Sequence, residues 1–323
     1  MKAIVQNAYG SSDVLKLKEI EKPVVKDNEV LIKVYATSIN AGDYFSMRGT
    51  PWAARLSVGF PKPKDYILGW DVAGCVESVG EKVSSLKPGD PVFGTCMHTF
   101  AEYVCASPDV LAKKPDNLTF EQAAAVPTAA LTALQGLRDM GKVYSGQKVL
   151  INGASGGVGS FAVQIAKALG AEVTGVCSTA NLEMVRSIGA DHIVDYTKED
   201  FTKNGQQYDL ILDQVGNRSL SDLRRALSPA GKIQPNTGHG GMTYVFKSAV
   251  LSLFMKKHGS LFVTKPNHDD LIVLKDFIES GKVRPVIDKT YPLSRIPEAL
   301  ACAEKGHVRG KVVITVADTK SQD

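Results

Sequence analysis

The sequence predicts an α/β protein that combines a β-rich domain with a doubly wound parallel sheet of six strands. Residues 1–115 consist of short Val- and Ile-rich runs separated by turn residues, a pattern typical of strands. From residue 148 strand and helix patterns alternate, and β character returns after about residue 283. We therefore expect an α/β domain inserted in a β-rich one, with boundaries at 1–120, 121–280 and 281–323.

Length and composition limit the possible functions. A chain of 323 residues suits two domains, and its net charge of +4 without a basic block argues against nucleic-acid binding. The N-terminus alternates like a strand and lacks the features of a signal peptide. The longest apolar-leaning stretch, 242–255, is too short for a membrane span and contains Lys247. Five cysteines without a Cys-x-x-Cys pair indicate a reducing compartment, so we predict a cytoplasmic protein and leave organelle import open.

The α/β region begins with helical patterns and continues as regularly spaced strands. Thr119 and Gln122 resemble a capping box before an Ala-rich helical stretch that Pro127 interrupts. Six Val- and Ile-rich runs follow at a spacing that leaves room for crossover helices. The candidate strands are 148–152, 172–177, 192–196, 208–215, 231–236 and 260–264.

A glycine-rich turn, "GASGGVG", joins the first of these strands to a helix. The helix carries an apolar stripe at helical spacing and can end at Gly170. The turn matches Gly-x-Gly-x-x-Gly with Ala154 in the first position, followed by Gly156 and Gly159. In this interpretation Gly156 lets a pyrophosphate approach the backbone, and Gly159 lets the helix pack close to the strand. The alternative is a tight turn without a ligand, but the strand–turn–helix context favours dinucleotide binding in a Rossmann domain.

The end of the second strand indicates which dinucleotide binds. NAD sites have an acidic residue there, whereas this strand ends in "VCSTAN". The hydroxyls of Ser178 and Thr179 suit a 2′-phosphate, and Tyr196 follows the third strand near the same place. Ser178 and Thr179 fit a helix N-cap equally well, so the missing acid is the stronger argument. We therefore predict NADPH as the cofactor.

Several motifs together resemble a known family. They are "DVAGCVESVG", "KPGDPVFG", "AAAVPTAALTAL", "GASGGVG" and "GKVRPVIDKTYPL…HVRGKVVITV". The chain resembles the zinc-independent quinone oxidoreductase branch of the medium-chain dehydrogenase/reductases over essentially its whole length. Its last third is especially similar to chloroplast-envelope quinone oxidoreductase homologues and reticulon-4-interacting mitochondrial proteins. The resemblance implies a GroES-like catalytic domain, a Rossmann domain with a cleft between them, a homodimer, and NADPH-dependent reduction of quinones or α,β-unsaturated carbonyls.

The resemblance also implies cofactor contacts along the chain. Ser155, Gly157 and Val158 match the pyrophosphate loop, and Ser178 and Tyr196 match the 2′-phosphate pocket. The usual basic residue after the second strand is absent from "STAN", and Arg186 on the next helix is a candidate replacement. The remaining implied contacts are Thr128 beside the nicotinamide, Val215 and Gly216 beside the adenosine ribose, Phe262 and Val263 at the carboxamide edge, and His307, Val308 and Arg309 near the C-terminus.

The zinc ligands of the alcohol dehydrogenase relatives are replaced in this sequence. Ala41 stands in the cysteine position, and Trp70 and Asp71 stand where the relatives have His and Glu. The four-cysteine lobe is missing, and Cys96 with His98 is the one close pair of metal-ligand types. Because zinc needs about four ligands, we predict no metal site.

The residues for chemistry are less clearly marked. Asn40, Asp43 and Tyr44 are expected in a loop, "SINAGDYF", that held a zinc ligand in the relatives. Asn40 could donate to the nicotinamide ribose or the substrate, and Asp43 is more simply structural. Tyr44 is either a proton donor or a core residue, and solvent is an alternative proton source. Possible walls of the substrate slot, equally compatible with core or dimer surface, are Trp52, Phe60, Tyr66 and residues 242–255.

These observations predict an NADPH-dependent reductase of small hydrophobic quinones or enones that works without zinc. The alternative is an NADPH-binding accessory or interaction protein with little turnover, which the sparse catalytic residues keep open. A zinc alcohol dehydrogenase is excluded by the replaced ligands.

Overall fold

The computed structural model describes all residues except 53, 54, 65, 237–258, 260, 261, 307 and 318–323. The chain divides into two compact units. The first comprises Met1–Thr128, Pro266–Glu279 and Pro285–Asp323, and the second comprises Ala129–Lys265 and Ser280–Arg284.

The described strands and helices are numbered in chain order. The strands are β1 (Lys2–Gln6), β2 (Leu15–Glu19), β3 (Val30–Ser38), β4 (Asp71–Val79), β5 (Pro91–Thr95), β6 (Tyr103–Ala106), β7 (Leu111–Lys113), β8 (Lys148–Asn152), β9 (Glu172–Cys177), β10 (His192–Asp195), β11 (Tyr208–Asp213), β12 (Leu227–Pro235), β13 (Ile287–Pro292) and β14 (Lys311–Thr315). The α-helices are α1 (Ala41–Arg48), α2 (Arg55–Val58), α3 (Phe120–Ala124), α4 (Pro127–Leu134), α5 (Gly157–Ala168), α6 (Leu182–Ser187), α7 (Leu220–Arg225), α8 (His268–Glu279) and α9 (Ile296–Glu304).

The first unit is built mainly on antiparallel strands, and β13 with β14 is its parallel pair. β1 and β2 form one pair, and a seven-stranded sheet has the order β13-β14-β3-β4-β5-β7, with β6 also paired to β3. β14 runs antiparallel to β3, with Val313 opposite Ser38. The start of the C-terminal strand therefore lies beside the end of β3, where the predicted catalytic segment begins.

That segment is a helix, so the prediction of a loop was wrong. Asn40 precedes α1, and its backbone N–H donates to Asp43 Oδ2 at 2.7 Å. The carboxylate at the third helical position satisfies a backbone group that would otherwise have no partner at the helix start. The helix is held by the buried side chain of Met47, which belongs to a core cluster with Phe100, Ile296 and Ile314.

The second unit contains a parallel sheet with the order β10-β9-β8-β11-β12. The first five predicted strands are found here, and α5 follows β8 as predicted. The register places Asn152 opposite both Val176 and Asp213, and Asp195 opposite Cys177. The carboxyl ends of four strands therefore meet along one edge, where parallel α/β sheets bind ligands.

The predicted sixth strand is not part of the described sheet. Residues 260 and 261 lie outside the described residues, and Phe262–Thr264 are not in a strand. The adjoining Lys265 pairs its backbone N–H and C=O with the Gln135 side chain, at 3.0 and 2.8 Å. A side-chain amide thus satisfies the backbone groups of the residue that follows the predicted strand.

Helix boundaries agree with the local signals. The Thr119–Gln122 capping box is present, with both reciprocal hydrogen bonds, and Pro127 opens α4. Gly170 follows the end of α5 with φ +86°, a conformation that favours glycine.

The helices were also compared with the requirements of a membrane span. Among the helices of the described residues, none is both long enough and apolar enough to cross a membrane.

Candidate functional site

The two glycines that the sequence singles out in this turn have different surroundings. A Cβ on Gly159 would lie 2.0 Å from the carbonyl oxygen of Gly153, so only glycine permits this close packing of α5. A Cβ on Gly156 would find its nearest neighbour, the same oxygen, at 3.5 Å. Packing therefore does not require glycine at 156, and the space beside its Cα is open to a ligand.

The backbone around the turn presents N–H groups. Gly153 has φ +88°, and the N–H groups of Gly153 and Ala154 both donate to Val176 O. This anchors the turn to the end of β9 and aims the start of α5 along the same edge. The first turn of a helix has N–H groups without intrahelical partners and the positive end of the dipole, a favourable place for a phosphate. Ser155, Gly157 and Val158, predicted for the pyrophosphate, lie at this helix start.

Asn181 links the pyrophosphate loop to the end of the second strand. Its Nδ2 donates to Ser155 Oγ at 3.1 Å and to Ser178 Oγ at 3.2 Å. Its buried Oδ1 has no hydrogen-bond partner among the described residues. Sequence reasoning noted Asn181 only as a replacement for an acid, and the bridge depends on a contact across 26 positions.

Thr179 does not have the role predicted for it. Its hydroxyl donates to Asp195 Oδ2, at the end of β10. A hydroxyl has a single proton to donate, so Thr179 cannot also donate to a phosphate in this arrangement. Hydrogen bonds from Thr179 and Thr197 lower the pKa of Asp195. Lys198 Nζ lies 3.7 Å from the same carboxylate, and the Tyr196 side chain is exposed.

A buried carboxylate shapes the turn after β11. Asp213 Oδ1 accepts the backbone N–H groups of Val215 and Gly216 at 3.1 and 3.0 Å, and Nδ2 of Asn152 at 2.8 Å. Gly216 has φ +70°. Both residues predicted beside the adenosine ribose are therefore fixed by one side chain. Asp213 was not identified from the sequence, although a polar residue that ends an apolar strand was a usable signal.

The remaining residues that the sequence predicts as cofactor contacts have differing surroundings, each within its own unit. The Phe262 ring lies against Gly136, and Val263 is exposed. Val308 packs on the core of the first unit, and Arg309 is exposed. His307 and residues 242–255 lie outside the described residues.

The first unit contains a second polar cluster, at the start of α1. Lys311 Nζ donates to Asn40 Oδ1 at 2.6 Å and to Ile39 O at 3.0 Å, and lies 3.5 Å from Asp71 Oδ2. Asn40 Nδ2 donates to the same oxygen of Asp71 at 2.9 Å. The amide of Asn40 is thus held between a buried cation and a buried anion.

Asp71 connects this cluster to a further predicted residue. Its Oδ2 accepts from Ser38 Oγ at 2.5 Å, while its Oδ1 accepts the backbone N–H of Thr128 at 2.8 Å. Asp71 is fully buried and Lys311 is 3% exposed. Neither Lys311 nor the carboxylate's role was found from the sequence, because β14 is distant from β4 along the chain.

Burial shifts the ionisation of this cluster. It raises the pKa of Asp43 to about 7, with repulsion from Asp71 contributing, although N–H groups of Asn40 and Gly69 favour the charged form. Burial lowers the pKa of Lys311, and the two carboxylates oppose that change. Asp43 is structural, as the sequence favours, because it caps α1 and accepts the N–H of Gly69.

Tyr44 is partly buried at the edge of the core. It packs against the same cluster as Met47, and burial raises its pKa to about 12. A raised pKa makes the phenol a weaker acid at neutral pH. The geometry therefore favours the packing interpretation over the proton donor.

Comparisons with known proteins identify the family. Residues 26–116 match the alcohol dehydrogenase GroES-like domain, and residues 188–314 match a family described as zinc-binding dehydrogenase. The chain is 36% identical over 329 residues to the NADPH-dependent alkenal/one oxidoreductase, chloroplastic, of Arabidopsis thaliana, covering 97% of this chain and 79% of that protein. It is 34% identical over 364 residues to the mitochondrial NAD(P)H oxidoreductase RTN4IP1 of Homo sapiens, covering 98% and 89%.

Two further matches specify the branch. The chloroplast envelope quinone oxidoreductase homolog of Arabidopsis thaliana is 33% identical over 330 residues, covering 97% of this chain and 98% of that protein. The structure of the quinone oxidoreductase from Coxiella burnetii superposes with a TM-score of 0.85 at 34% identity, covering 98% and 99%. The chain belongs to the quinone oxidoreductase branch of the medium-chain dehydrogenase/reductases. Its predicted family and α/β fold class are confirmed.

In this member of the family, the residues at the positions of the zinc ligands make contacts that do not involve a metal. Asp71 is the hub of the cluster around Lys311, and the Trp70 ring lies against Gly42, where a Cβ would be 3.2 Å from it. Burial raises the pKa of the Cys96 thiol, which opposes the thiolate form that a metal needs. Among the described residues no group of three or more His, Cys, Asp or Glu side chains could hold a metal ion.

The proposed walls of the substrate slot are exposed in the reductase. Trp52 and Phe60 are each 63% exposed and their rings meet edge to face at 6.2 Å, and Tyr66 is 40% exposed. Core packing is therefore wrong for these three residues. A substrate slot and a dimer surface both remain predictions.

Proposed function

We propose that this reductase transfers hydride from NADPH to a quinone or to the C=C bond of an α,β-unsaturated carbonyl, without zinc. The observation that supports it most is the carboxyl edge of the parallel sheet. There, an open space at Gly156, the start of α5 and the Ser155–Asn181–Ser178 bridge lie together, with no acidic residue at the end of β9. The names of its relatives, an alkenal/one oxidoreductase and a quinone oxidoreductase homolog, agree with this reaction class.

The residues present fit a bound NADPH. The α5 start would hold the pyrophosphate, Ser178 and Asn181 the ribose, and the turn fixed by Asp213 the adenosine side. When bound, the cofactor supplies a hydride equivalent. The chain binds and orients it, and the Thr128 backbone and Asn40 amide are held rigid by Asp71 on the predicted nicotinamide side.

Charge develops on the substrate oxygen during this reaction. An oriented donor stabilises it, and Asn40 is our proposed donor, with solvent supplying the proton. Tyr44 is the weaker candidate because of its packing and raised pKa. Alcohol oxidation is not proposed, since the alcohol dehydrogenase relatives rely on zinc for it, and Ala41 and Trp70 replace zinc ligands in this sequence.

Product analysis with deuterated NADPH tests the reaction. A simple enone should give the saturated ketone with deuterium at the β-carbon, and quinones should consume NADPH. Asn40→Ala should lower turnover with little change in NADPH affinity, whereas Tyr44→Phe, the matched control, should stay near the parent. An allylic alcohol as product would contradict the proposed regiochemistry.

A specific observation also supports the second candidate function, that of an NADPH-binding accessory protein with little turnover. Both polar atoms of Asn40 are engaged by Lys311 and Asp71. Tight NADPH binding without turnover over a panel of quinones, enals and enones would favour it.

The homodimer, the cytoplasmic location and the three-part domain boundaries remain predictions. All five cysteines are free, which agrees with a reducing compartment.

A further inference from the structure

The bridge between the pyrophosphate loop and β9 contains an unused hydrogen-bonding atom. Asn181 donates through Nδ2 to two serine hydroxyls, and its buried Oδ1 has no partner among the described residues. A buried acceptor without a partner costs free energy unless a ligand supplies a donor. Asn181 belongs to the turn that follows β9, and NAD sites carry at the end of this strand the acidic residue that accepts from the ribose 2′-hydroxyl.

The amide can also satisfy the bridge when it is turned over. A serine hydroxyl both donates and accepts, so Oδ1 can accept from Ser155 and Ser178 in place of Nδ2 donating to them. The two ends of an asparagine amide have nearly the same shape. One orientation then offers a carbonyl oxygen to the ligand, and the other offers two N–H groups.

Neither Arg186 nor Lys198 makes a hydrogen bond to Ser178 or Asn181 among the described residues. Arg186, the candidate replacement for the missing basic residue, is exposed on α6. Lys198 is 3.7 Å from Asp195, whose carboxylate offsets its charge. Recognition of a 2′-phosphate therefore depends on neutral donors and the helix start, which discriminate less than charge-assisted bonds.

We infer that Asn181 sets the choice between NADPH and NADH, turning its N–H groups to a 2′-phosphate or its carbonyl oxygen to a 2′-hydroxyl. The inference rests on the proposed dinucleotide site and narrows it. The reductase binds both cofactors and prefers NADPH by about tenfold or less, because a neutral hydrogen bond contributes little net free energy.

Titration of the intact protein with each cofactor, followed by nicotinamide fluorescence, tests this without turnover. In Asn181→Asp the carboxylate accepts from both serines and repels a phosphate, so the NADPH Kd should rise at least about tenfold while the NADH Kd changes by less than about threefold. In Asn181→Lys the preference for NADPH should increase and become salt-dependent. Arg186→Gln tests the competing assignment of the phosphate and should leave both affinities unchanged, while Lys16→Gln on the exposed part of β2 is the control.

The outcomes separate this inference from the proposed function. If the parent binds both cofactors but the two Asn181 variants weaken NADPH and NADH equally, Asn181 is only a structural bridge and the inference fails. A selective loss of NADPH in Arg186→Gln would also overturn it, since that assigns the phosphate to Arg186. If the parent binds neither cofactor, the proposed function fails as well.

Discussion

Two asparagines at the residue scale differ in what fixes their amides. Asn40 lies between Lys311, which can only donate, and Asp71, which can only accept, so the orientation of its amide is determined. Asn181 lies between two hydroxyls that both donate and accept, so its orientation is left to the ligand. We expect a fixed geometry on the predicted nicotinamide side and an adaptable one at the ribose.

The buried Lys311–Asp71 pair yields a stability prediction. Lys311→Met should lower the free energy of unfolding by about 3–5 kcal/mol, because it leaves Asp71 buried without a counter-charge. Adding Asp71→Asn should recover part of the loss. Denaturant unfolding measures both, with Lys16→Met on the exposed face of β2 as a control that should change little. A loss no greater than the control's would show that the pair is not needed.

Asp43 yields a pH prediction. Its pKa rises from 3.8 to about 7 on folding, so the folded state holds the proton more tightly than the unfolded state. The free energy of unfolding should therefore fall as the pH rises from about 4 to about 7. Asp43→Asn, which never ionises, should lack this contribution, and denaturant unfolding across that range compares the two. Parallel pH profiles would contradict the assignment.

At the element scale, the β8–turn–α5 segment contains one glycine that packing requires, Gly159, and one that we assign to cofactor binding, Gly156. Gly159→Ala should destabilise the protein by about 1–3 kcal/mol or more, because the new Cβ would overlap the Gly153 carbonyl. Gly156→Ala should keep the parent's stability, since φ is −81° and no protein atom is closer than 3.5 Å.

Cofactor titration completes the comparison of the two glycines. Gly156→Ala should weaken binding of both dinucleotides, by about tenfold or more, because a methyl group enters the space left for the pyrophosphate. Unfolding curves and fluorescence titrations of the two variants form a matched pair. Unchanged cofactor affinity in Gly156→Ala would contradict the assignment of the pyrophosphate to this turn.

At the scale of the whole molecule, each unit has its own core and its own polar cluster. The first unit holds Asn40, Asp71 and Lys311 at the ends of β3, β4 and β14, and the second holds Ser155 and Asn181 at the edge of the parallel sheet. Family membership does not require that the chemistry of the zinc relatives is kept.

The metal content of the whole protein is therefore a further prediction. Protein purified without added zinc should contain far less than one zinc per chain, and chelation should leave turnover unchanged, because Ala41, Trp70 and Asp71 occupy the ligand positions. Elemental analysis and an assay after chelation measure this. Stoichiometric zinc, with activity lost on chelation, would contradict the prediction. It would also show that the pairing of Asp71 with Lys311 does not prevent zinc binding.

Local patterns in the sequence by themselves determined much of the second unit. The β8 strand, the glycine turn and α5 follow one another within 21 residues, Lys148–Ala168, so spacing, apolar periodicity and glycine chemistry were sufficient. The same local logic placed the capping box at Thr119. It failed at residues 262–264, which are not in a strand and adjoin Lys265, whose backbone groups pair with the Gln135 side chain, and at α1, where the cap at Asn40 was not recognised.

Only the tertiary structure decided what the polar side chains do. Lys311 meets Asn40 across 271 positions because β14 pairs antiparallel with β3, with Val313 opposite Ser38. Thr179 is turned to Asp195 because β10 lies beside β9. Hydrogen-bond partners and desolvation depend on which strands become neighbours, and the period of a strand carries no information about its neighbour. The sequence determined that a dinucleotide turn exists, and the fold decided which side chains remain free to bind.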